Sequence, residues 1–190
     1  MKIVNAGYVV GENPTIREGT ILYPNVAIGD NFQSGHFCVI RESTNIGNNV
    51  SIGTHTEIGH HCIIGNNVRI HSSCFVPEHT VLEDNCWLGP RVTICNVFHP
   101  KCPNAKECSK RTYVTIKQGA IIGASVTILP GVVIGRDAIV GAGTLVTKDV
   151  PSNQVHFGSP NEQYSFRSHR RTTDRQHNRS YHQHAMLYRS

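Results

Sequence analysis

The sequence is organised by a six-residue period that runs through most of its length. Stepping by six from Val10 to Ile94, and again from Ile116 to Val146, meets an aliphatic residue at 20 of 21 positions, Ser34 being the exception. Neither the 3.6-residue period of a helix nor the plain alternation of a strand produces this spacing. A short strand followed by a corner, repeated every six residues, does produce it. The period therefore predicts a solenoid with one aliphatic side chain per repeat in a narrow core.

Glycines and small residues mark the corners of this solenoid. Eleven of the 17 glycines directly follow a register position, and four residues after most register positions stands a small or β-branched residue, such as Val26 or Thr44. Three repeats make a triangular coil of 18 residues, so residues 18 apart should stack at about 4.7–4.9 Å, the spacing of neighbouring strands. Four cysteines fall on small inward positions, where we expect reduced, buried thiols. They are Cys38, Cys62, Cys74 and Cys86.

The charge of the chain is concentrated in its last residues. Residues 165–190 hold six arginines and one aspartate, whereas residues 1–164 hold twelve basic and twelve acidic side chains, against a formal net charge of +5 for the whole chain. The body of the protein is thus neutral, which argues against nucleic acid as a partner. No apolar run approaches the roughly 18 residues that span a bilayer, and the start lacks a signal-peptide core. We expect a cytoplasmic protein with no membrane partner.

The run I-G-N-N-V-S-I-G-T-H-T-E-I-G-H-H-C-I-I-G-N-N-V, residues 46–68, resembles the hexapeptide-repeat acyltransferases. This resemblance implies an all-β fold, a left-handed parallel β-helix. The left hand comes from the family, since general crossover rules favour the right hand. We expect residues 1–164 to form this domain with a long loop inserted at about 95–115. Residues 165–190, rich in Arg and His, would follow as a C-terminal extension.

Stacking by 18 residues also predicts a polar column at one corner. His61 and His79 become vertical neighbours, Glu78 lies above His60, and Asn96 begins the inserted loop on the same edge. A solvated polar corner would explain these residue types equally well. However, long insertions in a strict repeat are usually functional, and imidazoles beside a carboxylate suit proton transfer. We therefore place a candidate catalytic site at this edge.

The segments around the loop refine the resemblance. The stretch I-C-N-V-F-H-P is similar to the T-N-x-x-x-P segment of nucleotide-amino-sugar N-acetyltransferases, with Cys95 in place of Thr. The coils after the loop, through H-F-G-S-P, resemble those of acetyl-coenzyme-A-dependent members. The resemblance implies acetyl transfer from acetyl-coenzyme A to the amine of a nucleotide-diphosphate-linked amino sugar, a step in making surface-glycan precursors. It also implies a homotrimer with sites between subunits and no metal. His60 and His99 are expected to contact the substrate.

A second column, with almost no side chains, predicts where the thioester lies. Its backbone N–H and C=O groups can pair with the amides of a pantetheine arm, and one N–H can face the thioester oxygen. Arg136 and Lys148 lie one or two corners away and are candidates to meet phosphates. The alternative is that small residues merely let the coils turn. The column residues are Gly123, Ala124, Gly141 and Ala142.

The proposed chemistry needs a proton acceptor, because an alkyl amine is protonated at neutral pH. His79 and His61 are the candidate bases, with Glu78 as partner and Asn96 positioning the amine. Three alternatives stay open. A hydroxyl acceptor would make the protein a sugar O-acetyltransferase. A γ-class carbonic anhydrase shares the fold and holds zinc with three histidines, and stoichiometric zinc would favour it. A non-catalytic scaffold would have no use for the loop.

Overall fold

The solenoid is built from very short strands. The computed structural model describes residues 7–98 and 113–163 of the 190. Within these ranges there is no helix, and 22 strands occur, each two residues long except β21, which has three. The strands are β1 Val9–Val10, β2 Ile21–Leu22, β3 Ala27–Ile28, β4 Gln33–Ser34, β5 Val39–Ile40, β6 Asn45–Ile46, β7 Ser51–Ile52, β8 Glu57–Ile58, β9 Ile63–Ile64, β10 Arg69–Ile70, β11 Phe75–Val76, β12 Val81–Leu82, β13 Trp87–Leu88, β14 Thr93–Ile94, β15 Thr115–Ile116, β16 Ile121–Ile122, β17 Thr127–Ile128, β18 Val133–Ile134, β19 Ile139–Val140, β20 Leu145–Val146, β21 Val155–Phe157 and β22 Glu162–Gln163.

These strands form the three parallel sheets of a left-handed β-helix of about seven turns, which confirms the predicted fold. The first sheet has the order β1-β3-β6-β9-β12-β15-β18, the second β4-β7-β10-β13-β16-β19-β21-β22, and the third β2-β5-β8-β11-β14-β17-β20. Paired residues are 18 apart, as in Arg69 with Trp87, and the pairing continues across the insertion, where Trp87 pairs with Ile121. No helix in the described residues is long and apolar enough to cross a membrane.

The register positions form the core. Ile40, Ile58 and Ile122 are fully buried, and the four inward cysteines are buried and free. Ser34, the exception to the aliphatic period, is also buried, and its hydroxyl lies 3.0 Å from that of Thr20. This hydrogen bond satisfies a polar group that would otherwise be costly to bury. The core is thus a single column of stacked aliphatic layers, as the period predicts.

Most corners have one residue with a left-handed backbone. Asn49 and Asn67 have φ of 57° and 58°, a region that asparagine tolerates better than most residues. Their side chains form a ladder along the helix axis, in which the Asn49 amide donates to the Asn67 oxygen at 3.2 Å. Both the left-handed backbone and the side-chain hydrogen bonds therefore favour asparagine at this edge.

The insertion and the C-terminal end interrupt the regular coils. The third sheet reaches Ile94 and the first resumes at Thr115, while residues 99–112, including His99, lie outside the described residues. At the end of the solenoid, β22 pairs antiparallel with β21, and the buried Asn161 accepts a hydrogen bond from the Thr147 N–H at 2.9 Å. Residues 164–190 also lie outside the described part, so the predicted boundary between domain and extension stays a prediction.

Candidate active site

Three imidazoles meet at the corner between the third and first sheets, which we call the imidazole edge (residues 59–62 and 77–80). The rings of His61 and His79 are stacked with centroids 5.1 Å apart, and that of His60 lies edge-on to both at 5.0 and 5.3 Å. The Nδ1 atoms of His60 and His61 are 2.8 Å apart, a distance at which one ring donates a hydrogen bond to the other. The structure therefore brings together the histidines that stacking predicts as neighbours.

The backbone holds these rings in place. His61 and His79 occupy the left-handed corner position, with φ of 56° and 58°. The His79 N–H donates to the His60 carbonyl at 3.0 Å, and the His61 N–H donates to the Glu42 carbonyl at the same distance. Because backbone hydrogen bonds join each of these corners to the preceding coil, the histidines stand on a rigid backbone. Such support keeps reactive groups in register.

The electrostatic environment favours a neutral His79. Burial lowers its pKa below the usual value, the nearby His60 and His61 lower it further, and the Glu78 carboxylate acts in the opposite direction. A neutral imidazole has a free lone pair and can accept a proton. His79 is therefore suited to act as a general base at neutral pH.

Tyr113 joins this edge from the far end of the insertion. Its ring lies 4.5 Å from that of His79, although the sequence analysis did not single it out. The register does predict this position of Tyr113. Ile116 pairs with Leu82, and Tyr113 precedes Ile116 by three residues, as His79 precedes Leu82. Asn96 follows β14 on this edge and is partly buried.

Exposed apolar side chains stand on the strands next to the imidazole edge and at the two ends of the insertion. Ile63 is 54% exposed, Phe98 is 55% exposed, and Phe75 and Tyr113 are 39% and 37% exposed. Large apolar side chains grouped at a surface mark a place where another molecule docks.

The corner between the second and third sheets carries the small residues, and we call residues 89–92, 123–126 and 141–144 the alanine edge. A Cβ atom on Gly89 would lie 2.7 Å from the Ala124 nitrogen, and one on Gly123 would lie 2.5 Å from the Ala142 nitrogen. Real side chains do not approach backbone so closely, so glycine is needed for the coils to stack here. The small residues of this column thus occupy two coils, because the first corner of the edge carries Pro90 and Arg91.

A backbone donor on the alanine edge lacks a side-chain partner on the next coil. At several corners, the N–H of the second corner residue donates to a side-chain oxygen 18 residues later, as from His36 to Thr54 at 3.2 Å. By the same register, the Ala124 N–H faces Ala142, whose methyl group offers no acceptor. This edge therefore presents a backbone donor that a bound amide or thioester oxygen can satisfy.

The predicted phosphate contacts lie on the other two edges. Arg136 is at the corner between the first and second sheets, and its guanidinium donates to the Gln118 side chain at 2.7 Å. Lys148 follows β20 and is exposed on the imidazole edge, beyond the coils that carry the histidines. The structure thus does not bring Arg136 or Lys148 onto the alanine edge itself.

Comparison with known proteins gives the family. A model described as bacterial transferase hexapeptide (six repeats) matches residues 113–148, and one described as GMPPB C-terminal domain matches residues 4–112. The fold and the repeats define a hexapeptide-repeat protein, which confirms the resemblance seen in the sequence. More particularly, the chain belongs to the GMPPB C-terminal domain family, whose model covers more than half of it.

Individual relatives match parts of the chain. The galactoside O-acetyltransferase of Lactococcus lactis subsp. lactis is 39% identical over 75 residues, which make up 37% of this chain and 35% of that protein. The match thus spans about a third of the relative's length. A solved mutant of AntD, an N-acyltransferase from Bacillus cereus in complex with dTDP and coenzyme A, has a TM-score of 0.56 at 24% identity, covering 83% of this chain and 82% of AntD. A second AntD mutant gives 0.54 at 23% identity, with 84% of each chain covered. These similarities show a shared fold.

Proposed function

We propose that the protein is an acetyl-coenzyme-A-dependent acetyltransferase whose acceptor is the amine of a nucleotide-linked amino sugar. The observation that carries this proposal is that the two borders of the third sheet differ in chemistry. One is the imidazole edge, where burial lowers the pKa of His79, and the other is the alanine edge, where glycines let the coils stack closely. A proton acceptor and a groove for a thioester are the two parts that acyl transfer to an amine requires.

His79 activates the acceptor in this scheme. The ammonium form of the acceptor first releases one proton to solvent, and His79 takes a second proton as the amine nitrogen forms a bond to the thioester carbonyl carbon. The carbon–sulfur bond then breaks, and the leaving thiolate takes the proton from the His79 imidazolium. The products are an amide and free coenzyme A, and His79 is neutral again. Glu78, which precedes His79 on the same corner, favours the transient positive charge on His79.

The alanine edge holds the other substrate. An extended pantetheine arm carries two amides, and these pair with exposed backbone groups along the alanine edge. The Ala124 N–H donates to the thioester oxygen as negative charge develops there, which lowers the barrier to attack. Large side chains would block this approach. The alanines are therefore required for access rather than only for folding.

A second copy of the chain completes the site. The two edges are separated by one flank, roughly 10–20 Å at 3.3 Å per residue, which is too far for one thioester carbon to reach both. In a homotrimer, the alanine edge of one copy lies beside the imidazole edge of the next. Burial of Ile63, Phe75 and Phe98 against a neighbour would stabilise this contact. Light scattering at micromolar concentration should give a trimer, and a monomer would contradict this part of the proposal.

The acceptor is tested by following thiol release from acetyl-coenzyme A. The panel contains uridine- and thymidine-diphosphate amino sugars, the same nucleotide sugars without the amine, and simple galactosides. We expect release only with an amine, and a product that survives mild alkali because it is an amide. An alkali-labile ester on a galactoside would support the second candidate, sugar O-acetylation, which the similarity to a galactoside O-acetyltransferase favours. No release above the acceptor-free rate with any compound would refute the proposal.

A further inference from the structure

The three imidazoles of the imidazole edge also have the spacing of a metal site. One ring nitrogen from each of His60, His61 and His79 can be chosen so that all three lie within 4.8 Å of one another. Zinc binds imidazole nitrogen at about 2.0–2.1 Å in tetrahedral geometry, which places ligand nitrogens about 3.4 Å apart. Small rotations of exposed or partly buried rings can close this difference. The backbone bonds that hold the two corners keep all three rings within reach.

Two carboxylates lie on the corners that carry this triad or next to them. Glu78 precedes His79 along the chain and its charge acts on that ring. Glu42, on the corner below, is paired with Arg41 through two hydrogen bonds of 2.9 and 3.0 Å, and the charge of His60 also acts on it. Carboxylates near ligating histidines orient the rings and strengthen metal binding. The set resembles neither a carboxylate cage for Ca²⁺ nor a site for Mg²⁺, which need oxygen ligands.

We propose that His60, His61 and His79 bind a divalent transition-metal ion of the zinc class, and that the bound ion inhibits acetyl transfer. Imidazole ligands suit zinc, copper and nickel, and three protein ligands leave a fourth position open to solvent. A ligating nitrogen gives its lone pair to the metal and has none for a proton. The inhibitory half of this inference rests on the proposed function, in which His79 is the base, whereas the binding half does not.

Binding is measured first, by calorimetric titration of the chelator-treated full chain with Zn²⁺. We expect one strong site per chain. His60→Ala, His61→Ala and His79→Ala should each weaken it at least about 100-fold, more than the loss of a partner behind a ligand. His71→Ala is the matched control and should bind as the wild type does, as should a chain whose histidines in residues 165–190 are replaced by alanine. Wild-type affinity in all three triad variants, or no binding at micromolar Zn²⁺, would overturn the inference.

The absorption spectrum of bound Co²⁺ identifies the ligands of the wild-type chain without any substitution. Co²⁺ bound by nitrogen and water in tetrahedral geometry gives visible bands, whereas ligation by a cysteine thiolate adds an intense near-ultraviolet charge-transfer band. We expect the first spectrum without the second. Cysteine ligation would move the ion away from the triad and overturn the inference.

Inhibition is measured last, with the thiol-release assay. Turnover should fall with Zn²⁺ over the same concentration range as the calorimetric site fills, and a chelator should restore it. If zinc binds the triad but no acceptor is ever acetylated, the proposed function fails while the metal site stands. If acetyl transfer proceeds unchanged with the triad filled, the inhibitory half is wrong. If transfer is measured and no zinc binds, only the metal inference fails.

Discussion

Replacing His79 with alanine should remove most of the catalytic rate and little of the stability. Loss of a general base costs a factor of about 10² to 10⁴ in turnover, which corresponds to about 2.7–5.4 kcal/mol of activation free energy. The ring also packs against His61 at 5.1 Å and Tyr113 at 4.5 Å. Aromatic contacts of this kind contribute about 0.5–1.5 kcal/mol each. The expected loss in free energy of unfolding is therefore about 1–3 kcal/mol.

The expected losses in turnover and in free energy of unfolding distinguish a catalytic role of His79 from a structural one. A domain stable by about 5–15 kcal/mol remains almost entirely folded after such a loss, so unfolding cannot account for a hundredfold slower turnover. The assay is thiol release at saturating acetyl-coenzyme A and acceptor, with the trimer verified by light scattering. A base acting in the transition state lowers kcat rather than raising KM.

His71→Ala is the matched control for this experiment. The ring of His71 also packs on an aromatic, Trp87 at 4.8 Å, and burial also lowers its pKa, but it lies on a different edge. This variant should keep turnover within about twofold of the wild type. A His79→Ala trimer with near-normal turnover would refute the assignment of His79 as the base and would leave the leaving thiolate as the proton acceptor.

Three further variants test the groove, the core and the corners. Ala142→Phe should raise the KM for acetyl-coenzyme A about tenfold or more, a loss of about 1.4 kcal/mol, without lowering the melting temperature. Ser72→Phe, at the equivalent corner position three coils away, should leave the KM unchanged. Ile122→Ala, at a fully buried register position, should lower the free energy of unfolding by about 2–5 kcal/mol in a denaturant titration, and a loss under 1 kcal/mol would contradict the core packing. Asn67→Ala should cost about 1–2 kcal/mol because φ is 58° there, and Asn67→Gly should cost less; equal losses would show that the backbone conformation is not the cause.

The fold was predictable because the six-residue period determines both where the strands lie and which side chains enter the core. An aliphatic residue every sixth position sets both the strand spacing and the inward direction, and a slip of one residue would expose the whole column. Ser34 shows the limit of this rule. Its place in the core was predictable, but its partner Thr20 was not, because they lie 14 residues apart and on different flanks.

The site was predictable only where the register continues. The stacking of His61 on His79 follows from a separation of 18 residues, as does the approach of Gly123 to Ala142. Tyr113 was not predicted because it follows the interruption of the repeat, where counting forward from Ile94 no longer gives the register, although counting backward from Ile116 reaches it. The closeness of three imidazole nitrogens could not be predicted either, because it depends on side-chain rotamers that no repeat specifies.

Hydrogen–deuterium exchange with and without saturating acetyl-coenzyme A tests the central claim most directly, that the alanine edge receives the thioester. Peptides covering residues 123–126 and 141–144 should gain protection when the ligand binds, because their backbone N–H groups acquire acceptors. Peptides covering residues 53–56 and 71–74, the same edge in the N-terminal coils, should exchange at unchanged rates. Equal rates at the alanine edge with and without ligand would contradict the account.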